Sequence, residues 1–171
     1  DLDNPTYYYD AKITKRGEDQ ALNAKEKLKD INFDTFICSP LTRSLETFSI
    51  IFPNEEPIVQ PLIREQLFHS CDIGSQPSFL QKQFPLFNFS NLKDNWWLNE
   101  YPKNYWWNNN IDIDKKIIKE SFNDIKIRLE KFKYWLDTKE FSSIAIVSHG
   151  TFLSQITGYM LENCEYYIWK Y

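Results

Sequence analysis

Residues 143–152, Ser-Ile-Ala-Ile-Val-Ser-His-Gly-Thr-Phe, constrain this chain more than any other stretch. Ile144, Ala145, Ile146 and Val147 form an uncharged, largely β-branched run, the pattern of a strand covered on both faces in a parallel sheet. Such a strand is expected in the middle of its sheet. Ser148, His149 and Gly150 follow at once and Phe152 to Leu161 suits a helix, so the imidazole falls between a strand's carboxyl end and a helix's amino end. Open α/β sheets bind ligands at that junction, and helix amino ends favour phosphate. A strand-end histidine is also commonly satisfied by a neighbouring carbonyl, so the rest of the chain must decide between architecture and chemistry.

At 171 residues, 42% of them hydrophobic, the chain has the size and composition of one globular domain with a real core. No apolar run approaches the roughly 18 residues of a membrane span, so no membrane partner is expected. A net charge of -4 lacks the electrostatic footprint of a general nucleic-acid binder but leaves room for a local basic pocket. Cys38, Cys71 and Cys164 are odd in number and form no Cys-x-x-Cys pair, which suits reduced thiols in a cytoplasmic protein better than a disulfide framework. The chain opens at Asp1 in a polar, turn-like segment with no initiator methionine, as a fragment or processed form would.

In chain order, Thr14 can cap a helix from Lys15 to Lys29, with Ala21, Ala24 and Leu28 on one face. Thr35 to Cys38 reads as a buried strand, and Ser39-Pro40 as the cap and first-turn proline of a helix from Leu41 to Ile51. Arg43 on that first turn either pairs with Glu46 on the surface or serves as half of an oxyanion clamp. Pro57 to Ile63 reads as a weaker strand ending at Arg64-Glu65, followed by a loop with His69, Cys71 and Asp72 and a short helix from Ser78 to Phe84. That trio lacks the second ligand pair a zinc site needs, so no metal or other cofactor is expected, and pocket-lining or solvent-facing roles are preferred.

Phe84 to Asn110 is irregular and aromatic, with Trp96-Trp97 and Trp106-Trp107. Its default reading is a long loop over the core, and its functional one a substrate lid spanning residues 85–113. Base or sugar stacking is disfavoured, since no Lys/Arg cluster accompanies the rings. Asp114 to Asp137 is the clearest helix, with Ile118, Phe122, Ile125, Leu129, Phe132 and Leu136 as one apolar stripe and no obvious chemistry. Glu165 to Tyr171 reads as an edge strand. No repeat or linker marks a second domain, so residues 1–171 are expected to form one.

Four loci thus stand at strand ends or helix starts: Thr14 to Gly17, Ser39 to Arg43, Glu65 and His149-Gly150. Their order resembles the histidine phosphatase superfamily, the phosphoglycerate-mutase-like fold. The matching residues are Asp10 to Gly17 with Gln20-Ala21, Ser39 to Thr47, and Val147 to Gly150. Arg64 to Asp72, Phe84-Pro85, Phe89-Ser90 and Asn163-Cys164-Glu165 look similar to a eukaryotic phosphoglycerate-mutase-like branch.

The resemblance implies a three-layer αβα fold around a mostly parallel sheet and a phosphoryl-transfer site of two histidines, two arginines and a carboxylate. It makes Arg43 and Gly150 phosphate-binding residues, Glu65 the proton donor to the leaving oxygen, and His149 the histidine that hydrogen-bonds the transferred group. Thr14, Ser39 and His69 are candidate pocket residues. The implied partner is a phosphorylated small molecule or phosphomonoester, and the implied activity is that of a phosphatase or mutase working through phosphohistidine. One departure is sharp: the family's Arg-His-Gly motif, which carries the nucleophilic histidine and ends the first strand, does not occur in residues 1–171. Either it lies upstream of Asp1, or the protein is an inactive phosphate-binding pseudoenzyme or scaffold. The first is preferred, because that strand is interior and its loss would strip ladder partners from its neighbours.

Overall fold

The computed structural model of the chain describes residues 8–98 and 119–170. Three parallel strands, β1 (Thr35–Cys38), β2 (Ile58–Val59) and β3 (Ile144–Val147), form a sheet in the order β2-β1-β3. β1 pairs in register with β3 from Thr35↔Ile144 to Cys38↔Val147, and with β2 at Ile37↔Ile58 and Cys38↔Val59. The middle position therefore belongs to β1, not to β3, which among the described residues pairs on one edge only. β2 is shorter than Pro57 to Ile63. Pro61 provides no backbone donor for a ladder, and Pro61–Ile63 turns into a 3-10 helix capped by the Gln60 side chain.

Helices cover both faces. α1 (Lys15–Leu28) and α2 (Thr42–Ile51) pack on each other through Ala21, Ala24 and Ile51. α2 meets one face of the sheet through Leu41, Leu45, Phe48 and Cys38. On the other face, Ile37 packs with Phe152 of α5 (Gly150–Thr157) and with Ile125, Leu129, Phe132 and Leu136 of α4 (Phe122–Asp137). The alternation of Ile37 and Cys38 to opposite layers is the period of two expected of a strand covered twice. This is a three-layer αβα arrangement, and no described helix is long and apolar enough to cross a membrane.

Several boundaries depart from the sequence expectation for local reasons. α2 begins at Thr42, with neither Ser39 nor Pro40 in its first turn. α4 begins at Phe122 because Ser121 and Asp124 form a reciprocal capping box there. That leaves Lys119 and Glu120 outside the helix, residues 114–118 outside the described residues, and Phe122 61% exposed instead of in the stripe. α5 starts at Gly150 and stops at Thr157, where Gly158 adopts a left-handed φ of 81°. α1 stops at Leu28, one residue before the expected Lys29, and the short helix α3 spans Pro77–Gln83, shifted one residue from Ser78 to Phe84. Residues 165–170 form no strand. Within the aromatic stretch, Phe87, Phe89, Leu92, Trp96 and Trp97 are buried against α2 and α3, while residues 99–118 lie outside the described residues.

Candidate functional site

The carboxyl ends of the three strands lead into α2, into the segment after β2, and into α5, and these carry Arg43, Glu65 and His149-Gly150. A fourth segment anchors them. Asp10, buried and held at a positive φ of 44°, accepts hydrogen bonds from the Thr42 amide at 2.8 Å, the Thr42 hydroxyl at 2.8 Å and the Ser75 amide at 3.0 Å. The amino end of α2 is thus capped by a carboxylate from 32 residues upstream, which explains why Ser39 is released from capping.

Ser39 turns instead toward the histidine. His149 is buried, and its Nε2 lies 2.8 Å from Ser39 Oγ and 3.1 Å from Ser44 Oγ. Burial, reinforced by the positive charges of Arg43 and Arg128, pushes its pKa well below the ordinary imidazole value. The ring is therefore neutral at pH 7. Glu65 Oε1 accepts from the Gln66 amide at 2.7 Å and Oε2 from the Thr151 amide at 3.3 Å, so the carboxylate occupies the amino end of α5 beside His149. Burial raises its pKa, with Asp72 adding to the rise, while the two amides and Arg43 oppose it. A carboxyl group whose pKa burial raises, at the same helix start as a neutral histidine, is the kind of pairing from which acid–base chemistry is built.

Arg43 completes the group. Its Nη1 donates to the Cys71 carbonyl at 2.8 Å and its Nη2 to Asp72 Oδ1 at 2.9 Å, and Glu46 is engaged elsewhere, by the Ile13 amide at 2.8 Å. The surface pair with Glu46, one of the two readings of Arg43, is therefore not the contact that holds it, which is made instead to the 3-10 turn Ser70–Asp72. Asp72 is itself buried and accepts from the His69 amide at 2.8 Å. Arg43 is joined to His149 through its neighbour Ser44, whose Oγ lies 3.1 Å from His149 Nε2.

Gly150 sits at the start of α5. A Cβ there would fall 2.7 Å from Met160 Sδ, so the chain after α5 folds back over this position. Thr14 stands apart from the group in its bonding: it is exposed and its hydroxyl caps α1 by accepting from the Gly17 amide at 3.2 Å. His69 is exposed, its ring against Phe68 at 4.9 Å. No cluster of His, Cys, Asp and Glu suited to a metal is present among the described residues. A shallow depression on the solvent face of α4, lined by Lys126, Ile127, Glu130, Lys131 and Tyr134, shows no comparable convergence of polar groups.

Sequence reasoning named Asp10 and Ser44 only as parts of matching motifs and missed their bonding roles, the ionic role of Asp72, and the buried cluster of Glu120 with Arg64 and Arg128. Glu120 Oε1 accepts from Arg64 Nη2 at 2.7 Å and Arg128 Nε at 3.0 Å, and Oε2 from Arg128 Nη2 at 2.9 Å. α4, read as lacking chemistry, thus reaches the site. The one sequence signal was an arginine on an otherwise apolar stripe, Arg128 beside Leu129 and one turn from Ile125.

Comparison with known proteins agrees with this architecture. The chain superposes on a candidate alpha-ribazole-5'-P phosphatase from Escherichia coli str. K-12 with a TM-score of 0.52 and 23% identity, covering 90% of this chain and 72% of that one. It superposes on the alpha-ribazole phosphatase from Shigella flexneri with a TM-score of 0.53 and 21% identity over the same shares. Among curated proteins no sequence matches significantly. The family model for branch 1 of the histidine phosphatase superfamily matches residues 7–171. The chain therefore belongs to the histidine phosphatase superfamily, branch 1.

Proposed function

We propose that this protein is a phosphomonoester phosphatase acting on a phosphorylated small molecule through a phosphohistidine intermediate, with the nucleophilic histidine upstream of Asp1. The observation that carries the reading is the convergence at the strand ends of Arg43, of His149, whose Nε2 lies 3.1 Å from the Oγ of Ser44, next to Arg43, and of Glu65, whose carboxylate accepts from the Thr151 amide two residues past His149. Among the described residues β3 pairs on one edge only, which leaves room in the ladder for the strand that would bring the nucleophile.

In the proposed reaction the upstream imidazole attacks phosphorus, the bond from phosphorus to the leaving oxygen breaks, and Glu65 gives its proton to that oxygen. Water then attacks the phosphohistidine, the phosphorus–nitrogen bond breaks, and Glu65 takes up the water's proton. Negative charge on the equatorial oxygens in flight is met by Arg43 and by His149. A phosphoryl dianion entering the site would raise the His149 pKa and convert the neutral ring into a charged donor. The same residues would serve a mutase, but phosphatase chemistry is preferred. A relation to the eukaryotic phosphoglycerate-mutase-like branch rests on Arg64 to Asp72 and Asn163 to Glu165. Of the lid reading of residues 85–113, positions 99–113 lie outside the described residues, while Trp96 and Trp97 within it are buried.

The test is steady-state hydrolysis of an aryl phosphate by the protein with its upstream segment. Chelator-resistant turnover that falls on Arg43→Ala and His149→Ala is expected. Unchanged turnover in both variants contradicts the assignment. Phosphate affinity without any turnover points instead to a pseudoenzyme that keeps the anion pocket.

A further inference from the structure

Glu65 reaches the amino end of α5 because its backbone is held from below. Arg128, buried on α4, donates through Nη1 to the Leu62 carbonyl at 2.7 Å and the Arg64 carbonyl at 2.9 Å, and through Nη2 to the Glu65 carbonyl at 3.2 Å. One guanidinium thus gathers three carbonyls of residues 62–65. Glu120 locks the next step of the same segment: its Oε2 accepts from the Leu67 amide at 3.0 Å, and its carbonyl accepts from Gln66 Nε2 at 2.6 Å.

The arrangement is costly to assemble. Two guanidinium groups share one carboxylate in the interior, and replacing such ionic clusters by apolar groups is often neutral or stabilising in other proteins. A packing role would be met more simply by a leucine, since the neighbours of Arg128 on α4 are Ile125, Leu129 and Phe132. What leucine cannot do is fix three carbonyls with planar, divergent donors. The segment so fixed ends at Glu65, whose carboxylate meets the Thr151 amide.

We propose that Arg128 is a positioning residue that sets the place of the Glu65 carboxylate through its backbone, and so governs protonation of the leaving oxygen. The inference rests on the reading of Glu65 as proton donor. It separates Arg128 from residues that only stabilise the fold, because a displaced acid matters most where the leaving group needs a proton.

The experiment compares phenyl phosphate, a poor leaving group, with 4-nitrophenyl phosphate, a good one, in the protein with its upstream segment. Arg128→Met keeps Arg64 on Glu120, so that carboxylate retains a partner. The variant should lose at least about tenfold more kcat/KM on phenyl than on 4-nitrophenyl phosphate, a fraction of a general acid's usual contribution. Glu65→Gln should show the same selectivity. Equal losses on the two substrates overturn the inference, and Arg128→Lys supplies the same comparison if the methionine variant does not fold. A second readout is independent of turnover. Hydrogen exchange at the Thr151 amide, followed by NMR, should quicken about tenfold in Arg128→Met and in Glu65→Ala alike, the size of one lost hydrogen bond. Thr151 protection unchanged in the Arg128 variants but lost in Glu65→Ala contradicts the inference. A parent protein without turnover counts against the phosphatase reading, while the exchange result still decides the role of Arg128.

Discussion

Asp72 Oδ1 lies 2.9 Å from Arg43 Nη2, and this ion pair, formed across 29 residues of sequence, fixes a guanidinium that local sequence would have paired with Glu46. Asp72 is 5% exposed and Arg43 24% exposed at the side chain, so the pair is oriented from its buried end and open at the other. Arg43 has five donors; the bonds to Cys71 and Asp72 engage Nη1 and Nη2 once each.

Asp72→Ala should therefore behave as a defect in Arg43. Misplacing that donor is expected to cost about 10²-fold in kcat/KM, comparable to removing one oxyanion donor. Asp72→Asn, which keeps the acceptor Oδ1, should lose less. Steady-state kinetics on an aryl phosphate together with calorimetric titration of inorganic phosphate would check both.

Asp10 is the anchor of the α2 amino end, and Asp10→Ala removes three hydrogen bonds at once. A lost cap and the buried donors left behind should cost about 2 kcal/mol or more. Urea unfolding of the chain would measure it.

These two aspartates show which parts of the architecture were legible in advance. β1, β3 and α1 were readable because their signals are local: two short buried runs, and a threonine cap ahead of a spaced apolar face. His149, Glu65 and Arg43 were readable as strand-end or helix-start residues from local pattern, and only their expected roles came from the family resemblance. Asp10, Asp72 and the Glu120–Arg128 cluster were not, because each works through a partner brought close only by the fold. Glu120 and Arg64 are 56 residues apart. The start of α4 was misread for a different reason: the apolar period continues upstream of Ser121, but the capping box with Asp124 ends the helix there.

The pH dependence of stability follows from two opposed groups. His149 has a depressed folded pKa, so the unfolded chain binds the extra proton first. Its contribution is present above the unfolded value of about 6.5 and is lost as pH falls toward the folded one. Glu65 has a raised folded pKa, so its contribution is present below the unfolded value and is lost as pH rises through the folded one. His149→Asn should flatten the loss of stability on acidification below about pH 6.5. Glu65→Gln should remove a loss on the alkaline side of the ordinary carboxylate range. Urea midpoints across this range would reveal each slope.

Gly74 allows the Trp96 ring to lie against the backbone. A Cβ at that position would fall 2.1 Å from Trp96 Cζ2, and the indole cannot easily retreat because its Nε1 donates to the Ser75 carbonyl at 2.9 Å. Gly74→Ala should cost about 1–3 kcal/mol by overpacking and shift tryptophan emission. Thermal unfolding with fluorescence detection would show it.

The central claim, that Arg43, Glu65 and His149 surround a phosphoryl group passing through a histidine, is most directly tested by trapping the phosphoenzyme. The protein with its upstream segment would be quenched during turnover of a radiolabelled aryl phosphate. The account predicts an acid-labile, alkali-stable label on a histidine upstream of Asp1, strongly reduced in Arg43→Ala. Turnover without a labelled histidine, or a protein that neither turns over nor labels, would contradict it.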